Sequence, residues 1–376
     1  MKILITGGHL TPALATIEYI RQHHPADKVI FFGREFSQPA LKQISQEKKS
    51  IELLEVPFVN FSAPKFGNTT LVERLLLPFT LGSAILKAWL LLGKYKPTIF
   101  LSFGGYLAVP VAFACKLRRI PIVTHEQTTV LGKANQAIAS IANAVAVSFP
   151  GQYPISDKKI VVTGNPVRSS LLNSHVVMPS WLKLTPTQQL PLLYVTGGNQ
   201  GSQTINGVVA QMLPELLKEW VVIHQVGNAH ARQNYRKDLE RTKSKLSKEL
   251  QPRYYIKEWV NEAELTWIYH HATAAISRAG ANTVQELGIA KLPAILIPLP
   301  FALQDEQLLN ARLLADSGGA LVIHQKDFSS AVAFSSLQKI KRYQRSMRQK
   351  LTTLSFTAEG AHKLYALVQE ISNQLY

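Results

Sequence analysis

The sequence predicts an α/β protein whose parallel sheets are covered by helices on both faces. Short apolar runs alternate with segments of helical apolar spacing along the whole chain. A length of 376 residues is long for one core and natural for two domains. The two halves also open alike, because Ile3–Gly8 (ILITGG) resembles Leu193–Gly198 (LYVTGG). We therefore expect two Rossmann-like domains that each begin with a strand followed by a glycine turn.

Ten short apolar runs predict the strands of the two sheets. Each run has the length and the aliphatic content expected of a strand buried on both faces. The five in the first half are Lys2–Thr6, Lys28–Phe32, Ile99–Phe103, Ile122–His125 and Ala144–Ser148, and the five in the second half are Leu192–Thr196, Val221–Gln225, Tyr254–Lys257, Ala274–Ser277 and Ala294–Ile297.

A polar, proline-bearing stretch before the second opening strand predicts the boundary between the domains. Helical spacing over Ala358–Leu375, with Leu364, Leu367, Ile371 and Leu375 on one face, predicts a final helix. The expected segments are a first domain over 1–165, a linker over 166–190, a second domain over 191–355 and a C-terminal helical segment over 356–376.

Charge and cysteine content restrict the function classes. Lys plus Arg number 41 against 24 for Asp plus Glu, a formal net charge of +17. The surplus is shared by both halves, so it suits an anionic ligand or an anionic membrane as well as nucleic acid. The single cysteine, Cys115, excludes an internal disulfide framework and a Cys-based zinc cluster. The strand-like start Lys2–Ile5, without a basic leader, predicts a cytoplasmic protein.

Residues 97–115 form an uncharged stretch long enough for a membrane-spanning helix. The stretch contains Gly104-Gly105 in its middle, and Pro97 and Pro110 on either side. Because Gly and Pro interrupt regular structure, we predict a strand, a glycine turn and a second apolar segment inside a buried sheet.

Three glycine-bearing turns stand directly before helix-like segments, and each is a candidate phosphate site. Glycine lets backbone approach a ligand, and the N–H groups and dipole of a helix N-terminus attract phosphate. Such turns also occur in α/β proteins for geometric reasons alone. The three are Thr6–His9, Gly197–Gly201 and Arg278–Thr283.

Several familiar motifs are missing from the sequence. There is neither a Gly-x-Gly-x-x-Gly motif nor a P-loop, which argues against dinucleotide oxidoreductases and nucleoside triphosphatases. There is also no Asp-x-Asp, so no obvious carboxylate pair would present a divalent metal to a diphosphate.

Seven short motifs follow one another along the chain: Thr6–His9 (TGGH), Ser102–Tyr106 (SFGGY), His125–Gln127 (HEQ), Gly164–Arg168 (GNPVR), Gly197–Gly201 (GGNQG), Ser277–Ala281 (SRAGA) and Gln307–Ala311 (QLLNA). In this order and spacing they resemble the MurG-type N-acetylglucosaminyltransferases, which add the second sugar of the bacterial peptidoglycan precursor. They span residues 1 to about 325, which is nearly the whole chain. Their order is more specific than any one of them.

The resemblance implies the GT-B architecture, in which two Rossmann-like domains face each other across a cleft and a C-terminal helix returns to the first domain. It implies transfer of N-acetylglucosamine from UDP-N-acetylglucosamine (UDP-GlcNAc) to lipid I, with inversion at the anomeric carbon and without a metal or another cofactor. It also implies a peripheral position on the cytoplasmic face of the inner membrane. The missing Asp-x-Asp agrees with a metal-free site, where a helix N-terminus and an arginine can stabilise the departing diphosphate.

The resemblance places the donor in the second domain. Asn199 and Arg168 would contact the phosphates, and Val260 would offer backbone groups to the uracil. Glu286 would accept from the ribose hydroxyls, and Gln307 would read hydroxyls of the transferred sugar. The residues expected to line the nucleotide are Ala281, Asn282, Thr283, Val284, Gln285 and Glu286.

The resemblance places the acceptor in the first domain, where Thr6, Gly7 and Gly8 resemble the family's loop that faces the donor. An inverting transfer needs a base for the acceptor hydroxyl proton, and an imidazole suits that task. The hypothesis is that His9 is this base or positions the acceptor, with Glu126 as the competing candidate. Thr128, where the family has Asn, is expected at the acceptor.

Structural interpretations compete with these roles. His9 alone after a glycine turn is typical of a capping or core residue, and Arg168 after a proline turn is typical of a surface ion pair. Glu126 would suit a buried carboxylate tied to backbone. Thr283-x-x-Glu286 is also a capping-box pattern. The chain further departs from the family by lacking a glycine pair before Thr6 and by having Asn199 where Ser is usual.

An apolar segment with flanking cations, Leu71–Leu92, is typical of an interfacial helix drawn to anionic lipid. The competing interpretation is a helix packed under the sheet. Pro78 and the charges argue against a spanning helix. The apolar positions are Leu75, Leu76, Leu77, Phe79, Leu81, Ile85, Leu86, Trp89 and Leu90, and the cations are Arg74, Lys87, Lys94 and Lys96.

Two other functions stay open at this point. One is a different GT-B enzyme that uses UDP-sugars, such as a diacylglycerol glycosyltransferase or a nucleotide-sugar epimerase, which Ser102–Tyr106 and His125–Gln127 discriminate. The other is a non-enzymatic basic protein that binds nucleic acid. That function predicts a localised basic face with stacking aromatics, whereas this surplus is spread over both halves, so we expect no nucleic-acid partner.

Overall fold

The computed structural model describes residues 1–38, 43–64, 71–168, 171, 176–184, 190–198, 200–227, 234–302, 305–354, 356 and 358–374. The chain forms two compact units. The first comprises Met1–Ser169 together with Thr357–Tyr376, and the second comprises Ser170–Phe356.

The first unit contains a seven-stranded parallel sheet in the order β5-β2-β1-β6-β7-β8-β9, and a separate antiparallel pair, β3 and β4. Helices connect the successive parallel strands as far as β8. In chain order its elements are β1 (Lys2–Thr6), α1 (Leu10–His23), β2 (Lys28–Gly33), β3 (Phe36–Gln38), β4 (Gln43–Ile44), α2 (Gln46–Leu53), β5 (Phe58–Asn60), α3 (Leu71–Tyr95), β6 (Ile99–Ser102), α4 (Ala108–Leu117), β7 (Ile122–Glu126), α5 (Lys133–Ala139), β8 (Ala144–Val147) and β9 (Ile160–Val162).

The second unit contains a six-stranded parallel sheet in the order β12-β11-β10-β13-β14-β15. Its elements are β10 (Leu192–Thr196), α6 (Gln203–Glu219), β11 (Val221–Gln225), α7 (Tyr235–Ser244), β12 (Tyr254–Lys257), α8 (Glu262–His271), β13 (Ala274–Ser277), α9 (Ala281–Ile289), β14 (Ala294–Leu296), α10 (Glu306–Asp316), β15 (Ala320–Val322) and α11 (Ser330–Leu351); the last helix of the chain, α12 (Gly360–Asn373), belongs to the first unit.

The first sheet buries apolar side chains on both faces, as the period of two along a strand requires. Ile3 and Ile5 of β1 pack with α1 and α12, whereas Leu4 between them packs on the opposite face with α3 and α4. The predicted α/β class with helix-covered parallel sheets is thereby confirmed.

All ten predicted strands are present, and each end agrees with the prediction to within one residue. The five that were not predicted, β3, β4, β5, β9 and β15, have only two or three residues each. Such short segments carry too little apolar pattern to be recognised, and they are strands because a neighbouring strand pairs with them. Residues 97–115 form strand β6, a glycine turn and helix α4 as predicted.

The predicted final helix is also confirmed. Leu364, Leu367 and Ile371 of α12 join the core beside α1, whereas Leu375 lies outside the described residues. The hydroxyl of Tyr365 donates to the carboxylate of Asp27, and the Tyr365 ring stacks on His24 at 4.0 Å.

Each of the two parallel sheets has one place where the strand order reverses direction. Open α/β sheets bind ligands at such a switch point, beyond the carboxyl ends of the strands. In the first unit it lies between β1 and β6, where Thr6 pairs with Ser102. In the second unit it lies between β10 and β13, where Thr196 pairs with Ser277. The three glycine turns singled out in the sequence follow β1, β10 and β13.

Candidate active site

The glycine turn after β1 packs directly against the glycine turn after β6. Phe103 N–H donates to the carbonyl of Thr6 at 3.0 Å. A Cβ atom on Gly8 would lie 2.5 Å from the carbonyl oxygen of Gly104, and one on Gly105 would lie 2.6 Å from the Cα of Gly8. Gly104 and Gly105 both have positive φ, +72° and +80°. Only glycine allows these two backbones to approach this closely.

His9 is the N-cap residue of α1, and its side chain does not cap the helix. Its backbone N–H donates to the carbonyl of Phe103 at 3.2 Å, while ring atom Nδ1 lies 2.6 Å from Nε2 of Gln127. Burial lowers the pKa of His9 below its usual range, and the negative charge of Glu126 partly opposes that shift. A neutral imidazole at the switch point of the sheet is equipped to accept a proton.

Glu126 ends strand β7, and its buried carboxylate already accepts hydrogen bonds on both oxygens. Oε1 accepts from the N–H of Thr128 at 3.1 Å and lies 3.0 Å from the Thr128 hydroxyl, whose one proton it shares with the carbonyl of Val130. Oε2 accepts from Gly132 N–H and from Nδ2 of Asn135, both at 2.9 Å. The lone pairs of this carboxylate are therefore committed to the loop after β7, as the structural interpretation of Glu126 expects.

The other site residues predicted in the first domain have different surroundings. Thr6 is fully buried, and its hydroxyl makes no hydrogen bond within the described part of the chain. Gly7 lies against Phe31, since a Cβ there would be 2.8 Å from the ring. The hydroxyl of Thr128 is shared between Glu126 and the carbonyl of Val130, at 2.6 Å, and the residue is buried. A role of Thr128 toward substrate stays a prediction.

Glu47 is a polar residue beside this turn that no sequence motif indicated. A Cβ on Gly7 would lie 3.2 Å from its Oε1, and its Oε2 accepts from Arg34 N–H at 3.0 Å. Burial raises the pKa of Glu47 to about 7, although the Arg34 hydrogen bond and charge oppose the shift. The fold brings α2 against the end of β2, and local sequence gives no sign of that approach. Gln127 was quoted within a motif but was assigned no role.

Replacing Glu126 by Gln is expected to lower the free energy of unfolding by about 1–3 kcal/mol. The reason is that an NH₂ group, which is a donor, would replace one of two oxygens that each accept from neighbouring donors. The lost charge is also expected to lower the pKa of His9 further, so the acid limb of kcat/KM moves to lower pH. Thermal unfolding and a pH–rate profile check both effects. Glu55→Gln, at a carboxylate that is 81% exposed, is the control and should change neither; an unshifted acid limb in Glu126→Gln would contradict the electrostatic link.

In the second unit, the glycine turn after β10 packs against the chain that follows β11. Gly201 (φ +75°) and Gly227 (φ +82°) interlock so closely that a Cβ on Gly201 would overlap the carbonyl oxygen of Val226. The turn leads into α6, whose N-cap Ser202 accepts from Ile205 N–H. Asn199, predicted to contact phosphate, lies outside the described residues.

A buried polar network holds this arrangement. Nδ2 of Asn206 donates to the carbonyl of Val226 at 3.2 Å, and Oδ1 of Asn206 lies 3.0 Å from Nε2 of His224. Nδ1 of His224 lies 2.8 Å from the hydroxyl of Tyr254. Burial lowers the pKa of His224 to about 3, so the ring is neutral and Nε2–H is the donor to Asn206.

Arg278 joins three loops at the same edge of the sheet. Its Nη2 donates to Ser202 at 2.8 Å and to Gln325 at 2.6 Å, and its Nη1 donates to the carbonyl of Ile297 at 3.2 Å. Burial lowers the pKa of Arg278. The sequence contained Arg278 in a motif without giving it a role, and the structure shows that it connects the segments following β10, β14 and β15.

Helix α9 begins at Ala281 after the N-cap Gly280, so Thr283 lies inside the helix. The capping-box interpretation of Thr283 and Glu286 is therefore wrong. Oε2 of Glu286 instead accepts from the hydroxyl of Tyr269 at 3.1 Å. Of the six predicted nucleotide-lining residues, Ala281, Val284 and Gln285 are buried, and Asn282, Thr283 and Glu286 are half-buried.

The remaining predicted donor residues lie on separate elements. Val260 is buried between β12 and α8, where a capping box of Asn261 and Glu264 fixes the start of the helix. Gln307 lies in the first turn of α10, and its Oε1 accepts from Leu299 N–H at 3.0 Å. Arg168 is half-buried and belongs to the first unit.

Helix α3 is buried along one face, as the packed-helix interpretation of Leu71–Leu92 expects, and exposes large apolar side chains elsewhere, while contact with lipid stays a prediction. Ala84, Ala88 and Leu92 are buried against the core of the first unit. Within the same helix, Leu76–Tyr95 is by length and composition apolar enough to cross a membrane. Only 17% of its most apolar 18-residue stretch is buried. The large apolar side chains that α3 exposes are Leu76 (50%), Phe79 (76%), Leu86 (58%), Trp89 (38%) and Leu90 (59%).

Two parallel-sheet units, each with a glycine turn and a helix N-terminus at its switch point, define the GT-B-like class of fold. Comparison with known structures supports this class. Over 98% of this chain and 99% of the other, the fold resembles the crystal structure of MurG from Acinetobacter baumannii, with a TM-score of 0.72 and 23% identity. A putative UDP-N-acetylglucosamine 2-epimerase from Listeria monocytogenes shares the fold with a TM-score of 0.67 and 12% identity, over 99% and 97% of the two chains.

Sequence comparison identifies the family. The glycosyltransferase family 28 N-terminal domain matches residues 6–147, and the glycosyltransferase family 28 C-terminal domain matches residues 192–364. A UDP-N-acetylglucosamine–N-acetylmuramyl-(pentapeptide) pyrophosphoryl-undecaprenol N-acetylglucosamine transferase of Caldanaerobacter subterraneus subsp. tengcongensis is 30% identical over 373 residues, 98% of each chain. The enzyme of the same name from Histophilus somni is 32% identical over 325 residues, 86% of this chain and 84% of its own.

The chain belongs to glycosyltransferase family 28, among the MurG-type N-acetylglucosaminyltransferases. The predicted resemblance, the two-domain fold class and the UDP-GlcNAc-dependent glycosyltransferase activity are confirmed. The family match also decides against a nucleotide-sugar epimerase, whose likeness to this chain is one of fold alone.

Proposed function

We propose that the first unit binds lipid I and the second binds UDP-GlcNAc, so that the enzyme transfers N-acetylglucosamine to the lipid-linked acceptor and produces lipid II for peptidoglycan synthesis. The names of the curated relatives support the two substrates. The similar glycine turns at the two switch points support one ligand for each unit.

His9 is the proposed base. As the acceptor oxygen attacks the anomeric carbon, its proton passes to the imidazole, the new glycosidic bond forms and the bond to UDP breaks. Attack opposite the departing diphosphate inverts the anomeric centre. The observation that carries this assignment is that the His9 imidazole has a lowered pKa at the switch point, whereas the Glu126 carboxylate is already saturated with donors. Glu126 then acts on the imidazole through its charge.

The second unit is proposed to stabilise the departing UDP. The N-termini of α6 and α9 bring positive dipole ends to the switch point, where a diphosphate gains charge as the sugar leaves. The chain's own candidates for the remaining contacts are those expected from the sequence: Arg168 and Asn199 for the phosphates, Val260 for the uracil, Ala281 to Glu286 for the nucleoside, and Gln307 for the sugar.

The function is tested by incubating the purified chain with UDP-GlcNAc and a short-chain lipid I analogue, with and without a chelator. We expect N-acetylglucosamine to appear on the analogue at the same rate in both samples. Epimerised nucleotide sugar without transfer would contradict the proposal, as would transfer that stops when the chelator is added.

The first unit is proposed to dock peripherally on the cytoplasmic face of the membrane through the exposed face of α3. Apolar side chains there lie beside cations: the guanidinium of Arg118 lies 4.0 Å from the ring centroid of Trp89, and Lys87 and Lys94 are on the same helix. Burial of exposed apolar groups together with attraction of cations to anionic lipid is the physical basis of interfacial binding.

Changing Phe79 and Leu90 to Ser is expected to reduce binding to anionic vesicles at least tenfold, since each side chain contributes about 1.5–3 kcal/mol when fully buried. Flotation of the full chain with vesicles containing phosphatidylglycerol measures the effect. Leu53→Ser is the matched control, because Leu53 is 83% exposed on α2 of the same unit. Equal flotation of the double variant and the control would contradict docking through α3.

A further inference from the structure

The contact between Gln127 and His9 links the proposed base to a side chain that has no assigned role. Nε2 of Gln127 lies 2.6 Å from Nδ1 of His9. The other amide atom of Gln127, Oε1, is buried and accepts no hydrogen bond from any residue in the described ranges. A buried carbonyl oxygen without a donor costs about 1–3 kcal/mol, so this amide orientation is unfavourable by itself.

The orientation of the amide determines which imidazole nitrogen can act as the base. A neutral imidazole carries one proton, so one ring nitrogen donates and the other accepts. While Nε2 of Gln127 donates to Nδ1, the ring proton resides on the His9 Nε2 atom, and that atom has no lone pair for a substrate proton. A 180° rotation of the amide instead directs Oε1 at Nδ1. The oxygen then accepts from Nδ1–H, and His9 Nε2 is left with a free lone pair.

We propose that Gln127 is a positioning residue that holds His9 in the Nδ1–H tautomer by accepting its proton with Oε1. This inference rests on the proposed role of His9 as base. In the transfer step the acceptor hydroxyl proton goes to Nε2, and the resulting imidazolium donates from both nitrogens. The carbonyl oxygen continues to accept from Nδ1–H throughout, whereas an amide NH₂ at that position would oppose a second donor. The oxygen thereby gains a donor, and the NH₂ group takes the position that Oε1 occupies in the structure.

The neighbouring charges are compatible with this arrangement. The carboxylate of Glu126 raises the pKa of His9, and burial lowers it. His125, at the end of β7, is fully buried with its pKa lowered to about 4, so it is neutral when the enzyme turns over near pH 7. Glu126 is therefore the source of negative charge that stabilises the imidazolium. Gln127 determines which ring nitrogen of His9 carries the proton before the transfer.

The tautomer can be measured directly on the full-length enzyme labelled with ¹⁵N-histidine. We expect the His9 signals, assigned by their loss in His9→Asn, to show a protonated Nδ1 and an unprotonated Nε2 at neutral pH. In Gln127→Met, which removes the acceptor, the two tautomers should mix. A protonated Nε2 in the wild-type enzyme, or an unchanged tautomer in Gln127→Met, would overturn the proposal.

Kinetics give a second readout. Gln127→Met is expected to lower kcat about 10–100-fold with little change in KM, less than the roughly 10⁴-fold loss from a wrong tautomer beside a charged partner. Gln127→Glu should retain kcat within a few fold and move the acid limb of kcat/KM to higher pH, because the added negative charge raises the pKa of His9. Gln127→Met without loss, or Gln127→Glu without the shift, would contradict the positioning role.

Two controls separate the possible failures. Gln136→Met loses a comparable amide contact, 2.8 Å to the carbonyl of Leu131, and should leave the pH profile unchanged. If His9→Ala keeps full kcat, the proposed base itself is wrong. If His9→Ala loses kcat while the Gln127 variants behave as the wild type, only the positioning role is wrong. The wild-type spectrum decides the tautomer even if a Gln127 variant does not fold.

Discussion

Replacing His9 by Ala is expected to lower kcat by about 10²–10⁴-fold, the range that general base catalysis contributes. The reason is that the described residues place only two other candidate groups at the turn where His9 lies, the fully buried imidazole of His125 and the half-buried carboxyl group of Glu47. Binding of UDP-GlcNAc should be unaffected, because that substrate is assigned to the second unit. Steady-state kinetics with a lipid I analogue, together with UDP titration by calorimetry, separates the two effects.

The pH dependence adds a directional test of the same residue. Burial lowers the pKa of His9 below its usual value of 6.5, so most of the imidazole is neutral at pH 6.5. The acid limb of kcat/KM should therefore lie under that value. Activity is expected to fall as the pH drops through this limb and the ring takes up a proton. A limb near pH 7 that persists in His9→Ala would instead point to Glu47, whose pKa is raised to about 7. Glu47→Gln distinguishes these outcomes.

Replacing Gly201 by Ala is expected to destabilise the second unit by roughly 3 kcal/mol or more, an effect of the size caused by overpacking together with backbone strain. The new Cβ would overlap the carbonyl of Val226, which also accepts from Asn206, and φ is +75°. The melting temperature should fall by about 6–12 °C for a unit of this size.

Two glycines of the same unit are matched controls for this change. Gly198 also has positive φ, +82°, but no atom of a described residue lies within 4 Å of its Cβ position. Gly198→Ala should therefore cost only the backbone strain of about 1–2 kcal/mol. Gly207, exposed in α6 with equally open surroundings, should gain about 0.5–1 kcal/mol on change to Ala. Equal losses in Gly201→Ala and Gly198→Ala would refute the close packing of the two turns.

The strands could be predicted because their residues are apolar on both faces. Leu192–Thr196, for example, is buried throughout and reads as a strand from its composition alone. The short strands β9 and β15 could not be predicted in this way, since their three residues include half-buried or exposed positions. Pairing with β8 and β14 makes them strands, and this pairing depends on contacts far along the chain.

The site shows a similar division between local and long-range information. The turns at Gly8 and Gly201 were recognisable because glycine is required where backbones approach closely. The structural role of Thr128 and the position of Glu47 were not recognisable, because both depend on how separate loops meet at the edge of the sheet. The helix start at Ala281, rather than at Thr283, was obscured by a local capping-box pattern that the fold does not use.

The placement of α12 in the first unit has a consequence for synthesis on the ribosome. The segment that completes the core beside Ile3 and Ile5 is translated only after the whole of the second unit, Ser170–Phe356, has emerged. Because translation delivers domains from the N-terminus onward, the apolar surface that Leu364 and Val368 cover stays uncovered during that interval. A product terminated before α12 would retain this uncovered surface and be prone to aggregation or proteolysis, so truncation ahead of α12 affects the half that was made first.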